Sequence, residues 1–238
     1  MVSRLKLNDV EIEIVLKDIR NVHLSVHPPS GRVRLAAPRR MKSEQIRLFA
    51  ISRLAWIRAQ QTKLRAQERE TAREYINRES HWVWGKRYLL VLKPATGRAV
   101  IELRHRTIAL HIEADASQEA REAAVEDWYR KQLKGAVPPL LARWQTRVGV
   151  DVERFFVQRM KTKWGSANQN ARTIRLNTEL AKKPPECLEY LVVHELVHLI
   201  EPTHNARFVA LMDRHLPQWR FHRDTLNRLP VREERWTY

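Results

Sequence analysis

Apolar residues alternate with charged ones at Val10, Ile12, Ile14 and Leu16, the period of a strand with one buried face. Val22 to Val26 and Val33 to Leu35 alternate in the same way, and Pro28-Pro29-Ser30-Gly31 between them has the composition of a hairpin turn. The period then changes. Ile46, Phe49, Ala50, Leu54, Ile57 and Leu64 recur at helical spacing, which predicts one long helix from about Glu44 to Arg69 with Ser43 as its cap. The polar stretch from Glu68 to Arg78 ends that helix or links it onward. Trp82-Val83-Trp84-Gly85-Lys86-Arg87-Tyr88 opens a second β region, with short strands expected at Tyr88 to Leu92, Val100 to Leu103 and Thr107 to Ile112. The tryptophan pair reads as core or edge packing before it reads as a stacking platform for bases.

Asp115 or Ser117 then starts a long helix through Trp144, with Ala120, Ala124, Trp128, Leu133 and Leu140 on its inner face. Pro138-Pro139 should kink or break it. Phe155 to Met160 and Thr173 to Leu176 read as two more strands, flanking a loop that carries Trp164-Gly165-Ser166 and Asn168. Pro184-Pro185 opens the next helix where proline costs least, and Pro202 stops it. Leu188, Leu191, Val192, Val193, Leu196, Val197, Leu199 and Ile200 make this helix apolar around most of its circumference, so it belongs deep in the protein. Thr203 is placed to cap a following helix with Phe208, Leu211 and Met212 inside, and a last helix runs to about Arg228. The pattern gives an α+β fold: a β-rich region with one long helix over 1–115, and a second region over 116–238.

The buried helix carries His194-Glu195-Leu196-Val197-His198, and His204 follows six residues later. Histidines four apart on a helix project from one face, so both imidazoles can meet a single ion without bending the backbone. His204 offers a third donor from beyond the helix. Three neutral donors and one open position describe a catalytic zinc site rather than a structural one. Glu195 is not placed like the two histidines but can reach a water molecule at the same ion. Chance produces this arrangement about once in a thousand chains of such composition. Buried histidines merely hydrogen-bonded to neighbours are the competing reading, and a metal satisfies the same polar groups more simply. His215 and His222 have no ligand spacing with the three and read as packing or surface residues.

Composition narrows the picture further. With 238 residues and 43% hydrophobic residues, the chain can bury a substantial core in one large or two small domains. No run approaches a membrane span, and the N-terminus has no signal-peptide hydrophobic segment. Cys187 is the single cysteine; it excludes an internal disulfide, fits a cytoplasmic protein and reads as a small packed hydrophobe. The net charge of +17 attracts polyanions, whether nucleic acid, nucleotides or acidic proteins, or it reflects only an arginine-rich solvated surface.

These residues together resemble the YgjP-like family of zinc metallopeptidases, related in its core to the SprT-like proteins. The resemblance rests on Arg159-Met160-Lys161-Thr162-Lys163-Trp164-Gly165-Ser166, Ile174-Arg175-Leu176-Asn177, Tyr190 to His198 and His204-Asn205-Ala206-Arg207-Phe208, with Arg32 to Pro38 and Leu54-Ala55-Trp56-Ile57 similar as well. It implies a zincin-like catalytic minidomain, with His194, His198 and His204 as zinc ligands and Glu195 as general base. Another divalent transition metal suits the same donors. Glu201 stands where metzincins of equal histidine spacing carry glycine, so a metzincin turn is not expected. Trp164, Gly165, Ser166 and Asn177 are candidate substrate-binding residues, the first three through backbone N–H groups that hold an oxyanion, with Arg159 or Lys161 as charged helpers. A tight turn is the competing reading of Trp164 to Ser166, and a turn or supporting role that of Asn177. The strand at Thr173 to Asn177 is a candidate edge for an extended peptide, and Glu201 is a candidate to orient a ligand histidine, with a solvent-facing salt bridge as its competing reading. A peptide or protein is the leading substrate. A nucleoside triphosphate, or proteins bound to nucleic acid, are the alternatives that the charge suggests.

Overall fold

The N-terminal alternation becomes a four-stranded sheet. β1 (Val2–Leu7) and β2 (Val10–Lys17) form a hairpin through Asn8, whose φ of 54° suits an asparagine in a tight turn. β3 (His23–His27) pairs antiparallel with β4 (Arg32–Pro38), and β4 lies parallel to β2, giving the order β1-β2-β4-β3. β1 is an addition to the sequence reading. In this computed structural model the described residues are 2–27, 31–66, 69–70, 73–160, 163–228 and 231–232. The turn residues Pro28, Pro29 and Ser30 lie outside them, as do Lys161 and Thr162.

The single long helix expected from Glu44 is two: α1 (Ser43–Ser52) and α2 (Leu54–Ala66). The Ser52 hydroxyl donates to the Phe49 carbonyl at 2.8 Å, the acceptor that the Arg53 N–H would need. Arg53 turns to φ −106°, ψ 2° and bonds Ala50 instead, so a side-chain hydroxyl has broken the ladder. Ser43 is the first helical residue rather than the cap; Lys42 caps, its N–H bonded to the Gln45 side chain at 3.1 Å. Ile46, Ala50 and Ile57 pack on the sheet's Ile12, Val33 and Leu35. β5 (Arg69–Glu70) pairs with a strand near the C-terminus.

β6 (Ser80–Val83) and β7 (Lys86–Pro94) are joined through Trp84 and Gly85, both at positive φ (48° and 76°). With β8 (Val100–Leu103) and β9 (Thr107–Ile112) they form a sheet of order β6-β7-β9-β8. α3 (Gln118–Val148) follows, capped by Ser117, whose side chain accepts from the Ala120 N–H at 3.2 Å. The proline pair does not end it. Pro138 and Pro139 sit on the solvent face, where the unpaired carbonyls one turn back reach water, while Val137, Leu141 and Trp144 stay buried.

β10 (Arg154–Gln158), β11 (Gly165–Asn168) and β12 (Thr173–Asn177) form a three-stranded sheet with β12 in the middle. A short 3-10 helix (Thr178–Lys182) leads into α4 (Pro185–His198), followed by α5 (Ala206–His215), α6 (Trp219–Arg228) and β13 (Val231–Arg232). The 3-10 helix is gripped by the β6–β7 turn: Trp84 N–H bonds the Ala181 carbonyl at 2.8 Å, and Gly85 lies against Pro184. That grip sets where α4 begins.

The chain divides into two compact units, residues 1–71 with 230–238, and residues 72–229. The boundary therefore falls at 71/72 and not at 115/116. Residues 72–115 join the second unit because Val83, Leu90, Ile108 and Leu110 share one core with α3 and α4. No helix among the described residues is long and apolar enough to cross a membrane.

Candidate metal centre

α4 is buried on nearly every side, as its composition requires. His194 and His198 open a half-buried stripe in it. The helix ends at His198, four residues before Pro202, and the chain turns back through Glu201 to bring His204 alongside. Asn205, not Thr203, caps α5, its side chain accepting the Phe208 N–H at 3.0 Å. Thr203 instead donates its N–H and hydroxyl to the Glu201 carboxylate, which these bonds hold below the usual carboxylate range.

The three imidazoles converge. His198 Nε2 lies 3.1 Å from both His194 Nε2 and His204 Nε2, which stand 3.2 Å apart. Nitrogen ligands around a tetrahedral zinc, at bonds of roughly 2.0–2.1 Å, stand about 3.3 Å from one another, so the donor set fits such an ion. His198 Nδ1 donates to the Glu201 carbonyl at 3.0 Å, which leaves its Nε2 as a lone pair aimed at the cluster. Glu201 thus orients a histidine, through its backbone and not its carboxylate. Burial, then the neighbouring His198 and His204, push His194 down to about 3, so it stays neutral, the form in which an imidazole can bind a metal. Beneath the cluster lies Phe208, fully buried, with ring centroids 5.0, 4.6 and 4.7 Å from those of His194, His198 and His204. One aromatic side chain from α5 therefore fixes the orientation of all three rings.

Glu195 is 3% exposed, and its Oε2 has no hydrogen-bond partner among the described residues. Burial pushes its carboxyl up to about 8 against the pull of Lys163. The space for it comes from a glycine. A Cβ at Gly165 would overlap Glu195 Oε1 and stand 3.0 Å from its Cδ. Trp164 to Ser166 is not a free loop, because Gly165 begins β11 and pairs antiparallel with Leu176. β11, not β12, is the open edge: β12 has β10 on one side and β11 on the other. The Asn177 N–H bonds the Trp164 carbonyl at 2.8 Å, and by antiparallel alternation Gly165 and Ala167 then turn their own N–H and C=O groups outward.

Trp164, Gly165 and Ser166 line a cleft of about 720 Å³ together with His194, Glu195, His198 and His204. Asn177 does not line it. Its side chain is 96% shielded within a knot, donating to the Met160 and Lys163 carbonyls at 2.8 and 2.9 Å and accepting from the Glu179 N–H at 3.2 Å. It ties down the segment before β11. Asn177→Ala is expected to lower stability by about 2–3 kcal/mol in urea unfolding, since it leaves buried carbonyls and an N–H unpaired. The sequence reading missed Tyr190, Leu191, Arg223, Leu226 and Asn227, which also line the cleft. Tyr190 was within reach of it, one helical turn before His194; the α6 residues arrive only through packing of α6 on α4.

Two solved structures are similar to part of the chain. The crystal structure of the metallopeptidase zymogen of Pyrococcus abyssi abylysin is 21% identical, with a TM-score of 0.36, over 38% of this chain and 90% of that chain. That of Methanocaldococcus jannaschii jannalysin is 18% identical, with a TM-score of 0.30, over 35% and 88%. No curated protein matches the chain. The family model described as YgjP-like, metallopeptidase domain, matches residues 20–229. A match of that extent includes the converging histidines, the open strand and most of the first unit, and this chain accordingly belongs to the YgjP-like metallopeptidases, a family of metal-dependent peptidases.

Proposed function

We propose that the protein is a zinc peptidase in which His194, His198 and His204 hold the ion and Glu195 acts as general base. The observation that carries the reading is the convergence of three imidazole nitrogens at 3.1–3.2 Å with no carboxylate among them. Such a donor set suits zinc and not magnesium, which prefers oxygen ligands. A bound zinc ion supplies Lewis acidity that polarises an amide carbonyl and makes water a better acid. The rest falls to the chain. Glu195, close against Gly165 and drawn back to its ionised form by the charge of a bound ion, takes a proton from the attacking water and returns it to the departing amine nitrogen. An extended peptide adds along β11 by hydrogen bonds to the outward groups of Gly165 and Ala167. That strand replaces Thr173 to Asn177 as the substrate edge, and its N–H groups are the candidates to hold the developing oxyanion.

The test is direct. Purified wild type is expected to retain one zinc per chain by elemental analysis, and the zinc-loaded protein to cut members of a mixed peptide pool. His198→Ala is expected to lose the metal. Wild type that holds no zinc, or that holds zinc and cuts no peptide, would overturn the reading.

A further inference from the structure

The cleft changes character one turn before His194. Leu191 and Leu226 line it with apolar surface, Tyr190 adds a ring and a hydroxyl, and Arg223 and Asn227 add donors from α6. Lys163 lines the cleft as well, and Glu195 is the only acidic residue among the described lining. Arg223, with its side chain 43% exposed, rests against two neighbours. Its guanidinium lies 5.0 Å over the Trp219 ring, and its Nε and Nη2 both contact one Asp224 oxygen at 3.0 Å. Asp224 does not line the cleft, so that ion pair meets the guanidinium from outside, through Nε and Nη2. Trp219 is fixed in turn, by a 2.8 Å bond from its indole N–H to Asp213 and by stacking on Tyr190 at 6.5 Å and 11°. A guanidinium in a cleft whose described lining holds one carboxylate, Glu195, fits an added carboxylate better than any other peptide group.

We propose that Arg223 is a specificity-determining residue that binds a peptide carboxylate, with Leu226 and Tyr190 against the adjoining methylenes. The inference rests on the peptidase reading and deepens it. The carboxylate comes either from an Asp or Glu side chain or from a free C-terminus, and the experiment separates the two.

A peptide cut from the mixed pool by the zinc-loaded full chain is remade in two sets. One has both termini blocked and Glu or Gln at each position flanking the cleaved bond; the other has a free or an amidated C-terminus. One Glu peptide, or the free acid, is expected to be favoured about tenfold in kcat/KM, mostly through KM. In Arg223→Gln the preference falls to roughly twofold or less, Arg223→Lys restores part of it, and Arg223→Glu favours a Lys-substituted peptide instead. Zinc content equal to wild type shows that the variants are folded. Wild type indifferent to every acid–amide pair, or Arg223→Gln with its preference intact, would overturn the assignment while leaving the peptidase in place. Zinc-loaded wild type that cuts nothing overturns the peptidase reading, and this inference with it.

Discussion

Glu195→Gln is expected to lower kcat by about 10³–10⁴-fold with zinc content and KM little changed. The amide has the volume and shape of the carboxyl, so it occupies the same slot beside Gly165 without a clash. It has no lone pair basic enough to take a proton from water. Glu195 is not among the three converging donors, so the ion stays. A carboxyl 3% exposed, with one oxygen unpartnered among the described residues, is destabilising unless a cation or a reaction needs it. Steady-state kinetics on a cleaved peptide, with elemental analysis of the same sample, makes the measurement. A variant that keeps wild-type turnover would assign the base to another residue.

Gly165→Ala is expected to cost about 100-fold in kcat, again with zinc retained, since displacing a catalytic group by roughly an ångström has an effect of that size. The added methyl has nowhere to go. On one side it meets Glu195, and on the other the Arg175 backbone oxygen at 3.1 Å, which the β11–β12 pairing holds in place. The carboxylate is the softer neighbour and must turn away from the cleft. Gly135→Ala is the matched control. Nothing lies within 4 Å of a Cβ there, and the residue is in the exposed face of α3, so activity is unchanged and stability rises by about 0.5–1 kcal/mol. Equal activity losses in the two variants would show that glycine at 165 serves only chain flexibility.

The two expected results differ in what foretold them. Glu195 is legible from four neighbours in sequence, because an α-helix fixes which residues share a face and a metal needs donors on one face. Gly165 sits thirty residues upstream in a Gly-Ser-Ala-Asn run with little β propensity, so it reads as a loop. Its strand character is conferred by β12, and its importance by the carboxylate that happens to lie above it. Arg223 belongs to the same class: nothing in its own helix marks it, and only the packing of α6 against α4 brings it to the cleft.

Short-range physics was therefore open to reading along the chain. Alternation marked β2 and β4, short runs between turn residues marked β7 and β9, helical spacing marked α3, an all-round apolar run between prolines marked α4, and the histidine spacing marked the candidate metal centre, because each depends on neighbours within one or two turns. Folding in three dimensions supplied what depends on distant partners. It made β11 and not β12 the open edge, and it moved residues 72–115 into the unit that carries α4. It committed Asn177 to a buried knot and set Phe208 under three imidazoles at once. A side chain's direction follows from its own backbone, but what it meets follows from where the rest of the chain has packed.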